Sequence, residues 1–413
     1  MSAVSAVSAV SAVSAVSAGA TGSAGSVRAG ASAGLGPRAR AKAWAWAELL
    51  RLPALFTVPG DALAGAAAVG ARPNSSTLLA IGSSLCLYEA GMALNDWADR
   101  AEDAVERPHR PLPSGRIHPA AALAAAGALT AAGLALAARA GRSSLAVAAP
   151  LAATVWAYDL TLKRTPAGPV AMATARGLDV LLGAAATAGT ARSRDRHLGP
   201  AATGRAAPGQ DVTLGARAGS RTARRALPSA LTLAAHTLAV TTVSRGETQG
   251  GSPVAPLAAL ATTGALAWGL SNGRADTGRR AADVPTAVQS GHVDAATGMG
   301  AGTGTGKAGV GTGVRLGPAR GAASVPGPFP HPVTDTLGAA LTLAYAATSA
   351  HPLFHAVLNP SPPLTQRAVG GGIRAMIPLQ ATLAARAGAP VTALLTAALA
   401  PAARTFAGKV SVT

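Results

Sequence analysis

Charged and aromatic side chains are scarce in this sequence. Only 13% of its 413 residues are Asp, Glu, Lys or Arg, whereas a soluble domain carries about 25%. Because 49% are hydrophobic and cluster in long segments, the composition argues against an ordinary soluble domain and indicates a polytopic membrane protein. Aromatic residues make up 3%, which is too few for an interfacial belt to mark helix ends.

Cysteine and acidic residues are also in short supply. Cys86 is the only cysteine, which excludes an intramolecular disulfide and a cysteine-based zinc site. The 17 acidic residues stand against 35 Lys and Arg, for a net charge of +18. No basic helix with interleaved aromatic residues accompanies this surplus, so we expect solvated loop charges beside a membrane and no nucleic-acid binding.

Nine apolar segments are long enough to be membrane spans, since a span takes about 20 residues. A shorter segment near 388–403 is either a tenth span or an amphipathic end helix. The sequence therefore predicts an all-α membrane protein with about nine transmembrane helices. The segments are 47–70, 76–97, 118–138, 143–161, 168–190, 227–243, 254–271, 335–357 and 365–385.

Low-complexity stretches divide the chain. A Ser-Ala-Val repeat opens it, and two Gly-rich insertions interrupt the spans, so we expect these three stretches to be disordered. The predicted regions are a 1–42 extension, a 43–190 first membrane half, a 191–226 insertion, membrane helices in 227–271, a 272–334 insertion and C-terminal membrane helices in 335–405. Arginines after the second, fourth and sixth spans place those loops in the cytoplasm of a multi-pass cell-membrane protein. The Arg-rich 191–226 insertion falls on the opposite face, so either a span is miscounted or its charge is tolerated.

An acidic motif follows the second span. On a helix, Asn95, Asp96, Asp99 and Asp103 share one face, where like charges repel each other. A divalent cation relieves that repulsion, and hard oxygen ligands suit Mg²⁺ bridged to a substrate diphosphate. The motif predicts a metal–diphosphate clamp at the membrane surface. The alternative is that these aspartates merely pair with arginines at a solvated helix end.

Basic residues flank this motif on two sides. Prolines stiffen the 107–116 loop and hold its arginines towards the carboxylates, and the arginine fork matches phosphate oxygens. After the fourth span, Lys163 and Arg164 are placed to bind the diphosphate from the opposite side, or serve as simple positive-inside anchors. The loop arginines are Arg107, Arg110 and Arg116.

Some polar residues lie within or beside predicted spans. Arg176 and Asp179 are three residues apart in the fifth span, so we expect an ion pair that is structural or, as we favour, lines a polar cavity. Arg51 and Asp61 flank the apolar core of the first span and are expected to face the same cavity. His236, in the sixth span, is expected to be a satisfied core histidine.

The acidic motif and the run Glu-Arg-Pro-x-Arg-Pro-Leu-Pro-Ser-Gly-Arg at 106–116 together resemble the UbiA superfamily of intramembrane prenyltransferases. The resemblance covers 47–403 apart from the insertions. It implies nine transmembrane helices bundled around a central cavity that opens to the bilayer. It also implies Mg²⁺-dependent ionisation of an isoprenyl diphosphate and transfer of the prenyl group to an aromatic or other small acceptor.

The resemblance assigns roles to individual residues. It implies that Mg²⁺ is bound by Asn95, Asp96, Asp99 and Asp103. It also implies that the charge of the departing diphosphate is neutralised by Arg107, Arg110, Lys163 and Arg164. Tyr158 and Lys163 match a family tyrosine-to-lysine element loosely.

One departure concerns the second Asp-rich motif of the family, which should follow the sixth span. The sequence there has Ser244-Arg245-Gly246-Glu247, a pattern that resembles the divergent EboC-like branch, found in operons for secondary metabolites. His236, Thr241 and Thr242 belong to that resemblance, as do 366–370 and 378–380. We expect Arg245 to replace the missing metal electrostatically and Glu247 to act as the base for the acceptor.

Three functions remain open from sequence alone. The first is a prenyltransferase that uses a polyprenyl diphosphate, a small acceptor and Mg²⁺. The second is a non-catalytic UbiA-like component that binds a lipid diphosphate or helps to make or export a secondary metabolite. The third, an ion-coupled transporter, lacks the expected inverted repeat.

Overall fold

The structure is a computed structural model that describes residues 36–51, 56–198, 210–247, 252–272 and 331–410. This part of the chain is helical and contains no strand. Thirteen α-helices and one π-helical turn lie in it. In chain order they are α1 (Pro37–Leu49), α2 (Val58–Ala68), α3 (Ser75–Ala98), α4 (Arg100–Glu106), α5 (Pro119–Ala140), α6 (Arg142–Ala157) with the π turn (Tyr158–Leu162), α7 (Gly168–Leu198), α8 (Gln210–Ser244), α9 (Val254–Asn272), α10 (His331–Leu358), α11 (Pro362–Arg386), α12 (Pro390–Ala397) and α13 (Leu399–Val410).

Six helical segments in the described ranges are long and apolar enough to cross a membrane, which makes the chain a multi-pass membrane protein. They are the segments in α3, α5, α6 with its π turn, α7, α8 and α9. The all-helical membrane class is therefore confirmed, whereas the count of nine spans is not. Helices α10 and α11 coincide with the eighth and ninth predicted segments, and three arginines dilute the apolar character of α11.

The first predicted span, 47–70, is not one continuous helix. Helix α1 ends at Leu49, and Arg51 has a left-handed φ of 50°, which breaks the helical path before α2 begins at Val58. A proline at position 53 disfavours helix in the residue before it, which agrees with a break between α1 and α2. The apolar composition concealed this break.

The predicted insertions differ from the structure at their edges. Helix α7 continues to Leu198 and α8 begins at Gln210, so much of 191–226 is helical instead of a loop. Alanine and arginine are strong helix formers, which explains why the helices continue past the apolar segments. The remainder of that insertion, most of 272–334 and the 1–35 repeat lie outside the described residues.

Helix α2 is short but central, because it packs against α3, α7, α8 and α11. Its contact with α7 is close: a Cβ on Gly183 would overlap the backbone of Ala62, and a Cβ on Gly65 would overlap the carbonyl of Val180. Small residues at such crossings let transmembrane helices approach each other and gain van der Waals contact. The crossing holds Asp61 of α2 beside Arg176 of α7.

Helices α8, α10 and α11 form the other side of the bundle. His236 of α8 is buried, with Nδ1 3.2 Å from the Tyr345 hydroxyl and Nε2 3.0 Å from the Gly372 carbonyl oxygen. This arrangement confirms the prediction of a satisfied core histidine. It ties together the three helices that pack behind α2.

Candidate functional site

The acidic motif straddles a break between two helices. Helix α3 begins with a capping box at Asn74 and ends at Ala98, and Asp99 then links it to α4. Asp99 has φ −89° and ψ 3°, outside the α-helical range, so the helical path is kinked at this residue. The Asp99 and Asp103 amides still donate to the carbonyls four residues earlier, each at 2.9 Å. The sequence prediction treated 95–103 as one helix and did not foresee the kink.

Asp96 and Asp103 meet through arginine. Arg110 Nη1 lies 2.7 Å from Asp103 Oδ2 and 3.7 Å from Asp96 Oδ1, and so bridges α3 and α4. Arg107 approaches Asp103 at 3.4 Å, and Arg51 approaches Asp96 at 3.4 Å. Both carboxylates are buried, and a buried carboxylate requires such partners.

Asp99 faces a different group of cations. Lys163 Nζ lies 2.6 Å from Asp99 Oδ1 and 3.3 Å from Asn95 Oδ1, so one ammonium bridges two motif oxygens. Arg164 Nη2 lies 3.1 Å from the same Asp99 oxygen and 2.5 Å from Glu102. Lys163 and Arg164 therefore contact the acidic motif, and their binding of a diphosphate from the opposite side stays a prediction.

A π-helical turn, Tyr158–Leu162, delivers these cations. The Lys163 amide donates to the Tyr158 carbonyl at 2.9 Å, a five-residue spacing that defines this turn. Single π turns inside α-helices are frequent at functional sites. Here Tyr158 and Lys163 line the same space.

Two adjoining cavities share Tyr158. The inner cavity, of about 260 Å³, lies among α3, α6 and α7 and carries mostly apolar area. The outer cavity, of about 390 Å³, is polar and lies at the helix ends beside the acidic motif. Residues of the inner cavity include Arg51, Tyr88, Met92, Asn95, Val155, Tyr158, Asp159, Met172, Arg176 and Asp179. Residues of the outer cavity include Asp99, Glu102, Arg107, Tyr158, Lys163, Arg164, Ser244 and Arg245.

The deep end of the inner cavity differs from prediction. Arg176 Nη1 pairs with Asp61 Oδ2 at 2.5 Å, not with Asp179. Gln380 Nε2 donates to Asp61 Oδ1 at 2.8 Å, and Asp179 accepts a hydrogen bond from Ser84. The predicted ion pair between Arg176 and Asp179 is therefore wrong. The α2–α7 crossing brings the Asp61 carboxylate to Arg176 instead. Arg176 and Asp179 do line the inner cavity, as predicted, but most of its lining is apolar.

The segment after α8 contributes a cation to the outer cavity. Arg245 Nη1 donates to the Thr165 carbonyl oxygen at 2.6 Å, which anchors it across the mouth of the cavity. Glu247 follows it and is half-buried. Burial raises the pKa of Glu247, and the positive charge of Arg107 opposes that rise.

The predicted residues thus fall into two groups. Asn95, Asp99, Tyr158 and the cations at 107, 163, 164 and 245 converge at the two cavities. Asp96, Asp103 and Arg110 do not line either cavity among the described residues and instead form an ion-pair cluster behind it. Arg116 pairs with Glu48 of α1, with a shortest distance of 2.6 Å, and so faces away from the motif.

Sequence reasoning missed several polar residues of this site. Asp159 lines the inner cavity, close to Gly91 of α3. Tyr88 lines the same cavity, and Gln380 reaches Asp61 from α11. Glu89 is buried in α3, and neither of its oxygens has a hydrogen-bond partner in the described part of the chain. An acid or amide within an apolar segment was the available signal for each except Tyr88.

The oxygen donors at the cavity fit Mg²⁺ in part. Asn95 and Asp99 offer hard oxygens, and a positive charge already lies between them in the form of the Lys163 ammonium. No cluster of three acidic, histidine or cysteine side chains within the described ranges is arranged to enclose a metal. The donor set therefore suits Mg²⁺ held by one or two protein groups together with substrate phosphates and water, which is how proteins commonly bind it.

Part of this chain is similar to known proteins. Residues 54–206 match the UbiA prenyltransferase family. A digeranylgeranylglyceryl phosphate synthase of Methanopyrus kandleri is 36% identical over 133 residues, which is 32% of this chain and 47% of that protein. The synthase of Methanothrix thermoacetophila is 38% identical over 145 residues, or 34% of this chain and 54% of that protein. The chain thus spans about half the length of the curated relatives it matches.

Two solved structures are similar across more of the chain. One, from work on digeranylgeranylglyceryl phosphate synthase in membranes, has a TM-score of 0.47 at 14% identity and covers 84% of this chain and 98% of its own. The other, a UbiA homologue from Aeropyrum pernix K1, has a TM-score of 0.45 at 16% identity and covers 78% and 96%. The range 54–206 that matches this family contains the acidic motif and the π turn, together with the α3, α6 and α7 residues that line the inner cavity.

Proposed function

From a UbiA prenyltransferase domain that places a charged cavity beside an apolar one, we propose that this chain is a membrane prenyltransferase. It takes a polyprenyl diphosphate and transfers the prenyl group to a small acceptor with the help of Mg²⁺. The observation that carries the proposal is that Tyr158 belongs to both cavities. A diphosphate fits the outer cavity while its hydrocarbon chain extends into the inner one.

The outer cavity is suited to a departing diphosphate. Its cations are Arg107, Lys163, Arg164 and Arg245, and cations held in place beside a diphosphate stabilise the negative charge that develops on it. Bound Mg²⁺ would supply further neutralisation of the diphosphate, with Asn95 and Asp99 as its protein ligands. We assign Asp96 the role of positioning Arg51 and Arg110, and Asp103 that of positioning Arg110. Their predicted part in binding Mg²⁺ stays a prediction.

The inner cavity is suited to the prenyl group. Met92, Val155 and Met172 supply apolar surface that excludes water from an electron-deficient allylic carbon. Arg176, Asp179 and Tyr88 supply polar groups for an acceptor at its deep end. Because the relatives are named as synthases of digeranylgeranylglyceryl phosphate, a glyceryl phosphate joins aromatic acids, quinols and cyclitols as an acceptor chemistry to test. We place the outer cavity on the cytoplasmic face, from the arginines of its loops.

The test measures Mg²⁺-dependent diphosphate release from labelled geranyl, farnesyl and geranylgeranyl diphosphates by the purified protein. Asp99→Asn should lower release on the order of 10²-fold or more, as loss of one transition-state stabiliser does elsewhere. Asp96→Asn should lower it through Arg51 and Arg110. Glu48→Gln, which removes a carboxylate paired with Arg116 outside both cavities, is the matched control and should leave release unchanged.

A second variant tests whether Arg245 takes the place of the metal that the missing second Asp-rich motif would hold. Arg245→Ala should reduce release while the protein remains folded in the membrane. Arg100→Ala is the control, because Arg100 stacks on Trp97 and donates to its carbonyl outside both cavities. Release that is unchanged in Arg245→Ala would end this role for the arginine.

The alternative is a UbiA-like component that binds a lipid diphosphate without ionising it. The observation that favours it is that Asp99 already has two cationic partners, while the described residues contain no group of three acidic, histidine or cysteine side chains placed to hold a metal. Mg²⁺-dependent binding of a prenyl diphosphate with no release in the presence of the acceptor panel would establish this alternative. The resemblance to the EboC-like branch and a role in secondary metabolism stay predictions.

A further inference from the structure

Two histidines lie one turn apart on the outer face of α10. His351 and His355 are both exposed, and their Nε2 atoms are 3.4 Å apart. The rings meet edge to face, with centroids 4.7 Å apart and an interplanar angle of 74°. The spacing His-x-x-x-His can be read from the sequence, where it lies within an apolar segment.

This pair is separate from the proposed prenyltransferase site. Neither histidine lines the inner or outer cavity. Leu353 and Ala356, on the opposite side of the same turns, pack against Val243 of α8 and Val369 of α11. The pair therefore lies near the end of α10, at the level where α8 ends and α11 begins.

The distance between the two nitrogens matches a shared metal ion. Zinc binds imidazole nitrogen at about 2.0–2.1 Å with tetrahedral angles, which places two ligand nitrogens about 3.3–3.4 Å apart. Two imidazole nitrogens at 3.4 Å without a metal either share one proton or oppose their lone pairs, and two protonated rings would repel each other. No carboxylate pairs with either ring in the part of the chain that the structure describes, so their nitrogens are available.

We propose that His351 and His355 form a binding site for a divalent transition-metal cation. Imidazole selects Zn²⁺, Cu²⁺ and Ni²⁺, whereas Mg²⁺ and Ca²⁺ prefer oxygen ligands. Two protein ligands leave coordination positions for water or for a group from another molecule. By the general order of affinities, Cu²⁺ binds more tightly than Zn²⁺ or Ni²⁺.

The metal would also link the two sides of a weak helical turn. Pro352 lies between the histidines and has no amide proton to donate to Thr348. A cation that bridges positions 351 and 355 spans this turn through the side chains. Binding should therefore stiffen the end of α10.

The experiment titrates Cu²⁺ and Zn²⁺ into the full chain, purified without a histidine tag and kept in excess Mg²⁺ to occupy oxygen sites. We expect one tight equivalent per chain by calorimetry, with an electron paramagnetic resonance spectrum of Cu²⁺ that shows two nitrogen ligands. His351→Asn and His355→Asn should each weaken that equivalent about tenfold or more, a loss typical of disturbed metal sites. His109→Asn, a lone exposed histidine, is the control and should bind as the unmodified chain does.

Two results would overturn the proposal. One is the absence of a saturable equivalent, and the other is binding that survives either of the two α10 substitutions. Thermal unfolding without metal identifies any variant that is misfolded. In that case His351→Gln and His355→Gln, which keep more of the side-chain volume, replace the asparagine variants.

Discussion

Asp61 is the residue whose removal should have the largest effect on stability. Its side chain is fully buried, and it accepts from both Arg176 and Gln380. Asp61→Leu would leave the Arg176 guanidinium in the bundle interior without its ion-pair partner. Breaking a buried pair from one side costs about 3–5 kcal/mol of unfolding free energy. Arg176→Met should cost a similar amount, because the carboxylate then remains without its cation.

The double variant isolates the energy of the Asp61–Arg176 interaction from the other effects of each substitution. Replacing both partners with apolar side chains of similar volume is often neutral or stabilising, so Asp61→Leu with Arg176→Met should lie within about 1 kcal/mol of the unmodified protein. Gln380 keeps its second acceptor, the Thr57 carbonyl, at 2.8 Å. The coupling between the two sites is then about 3 kcal/mol or more.

Equilibrium unfolding of the four proteins in one detergent or nanodisc composition measures this coupling. Arg176 also lines the inner cavity, so activity will fall in every variant that lacks it and cannot serve as the readout. If the double variant is as destabilised as the sum of the two single variants, the reasoning from a paired buried charge is refuted.

The other predictions concern proton transfer and helix packing. Because burial raises the pKa of Glu247, the acidic limb of the pH–rate profile should lie above the range of a free glutamate if its carboxylate is the base. Glu247→Gln should remove that limb, and Arg107→Gln should move it to higher pH, since the opposing positive charge is lost; a limb that stays in place in both contradicts this role. In α7, Gly183→Ala should lower the unfolding free energy by about 1–3 kcal/mol because its Cβ meets the backbone of Ala62. Gly189→Ala, with only ordinary contacts, should instead gain up to about 1 kcal/mol from helix propensity, and equal effects at the two glycines would contradict the close crossing.

The sequence was sufficient for the class of fold and for most helix positions. Long apolar segments with Ala and Leu predicted α3 and α5 to within two residues at each end, since a span needs a fixed length of apolar chain. It was insufficient at Arg51, where a left-handed φ breaks the helix at a single residue and leaves the mean hydropathy of the segment almost unchanged.

The site was predicted in part for a similar reason. Asp99 and Lys163 were identified because charged residues at the ends of apolar segments are visible in any sequence. Their partners were not, because an ion pair such as Arg176 with Asp61 depends on which helices cross, and the crossing depends on glycines far apart in the chain. Asp159 received no role, since nothing in the local sequence showed that it lines the inner cavity.

The π turn between α6 and Lys163 sets the direction in which the Lys163 side chain points. On a regular α-helix each residue advances the direction of its side chain by about 100°, so residues five apart point roughly 140° away from each other. One extra residue in the turn cancels most of that difference and aligns Tyr158 with Lys163. Deletion of a single residue from 158–162 would therefore rotate the residues that follow about the helix axis, and would shorten the helix only slightly. The ammonium would turn away from Asp99 although every charged side chain of the site was still present.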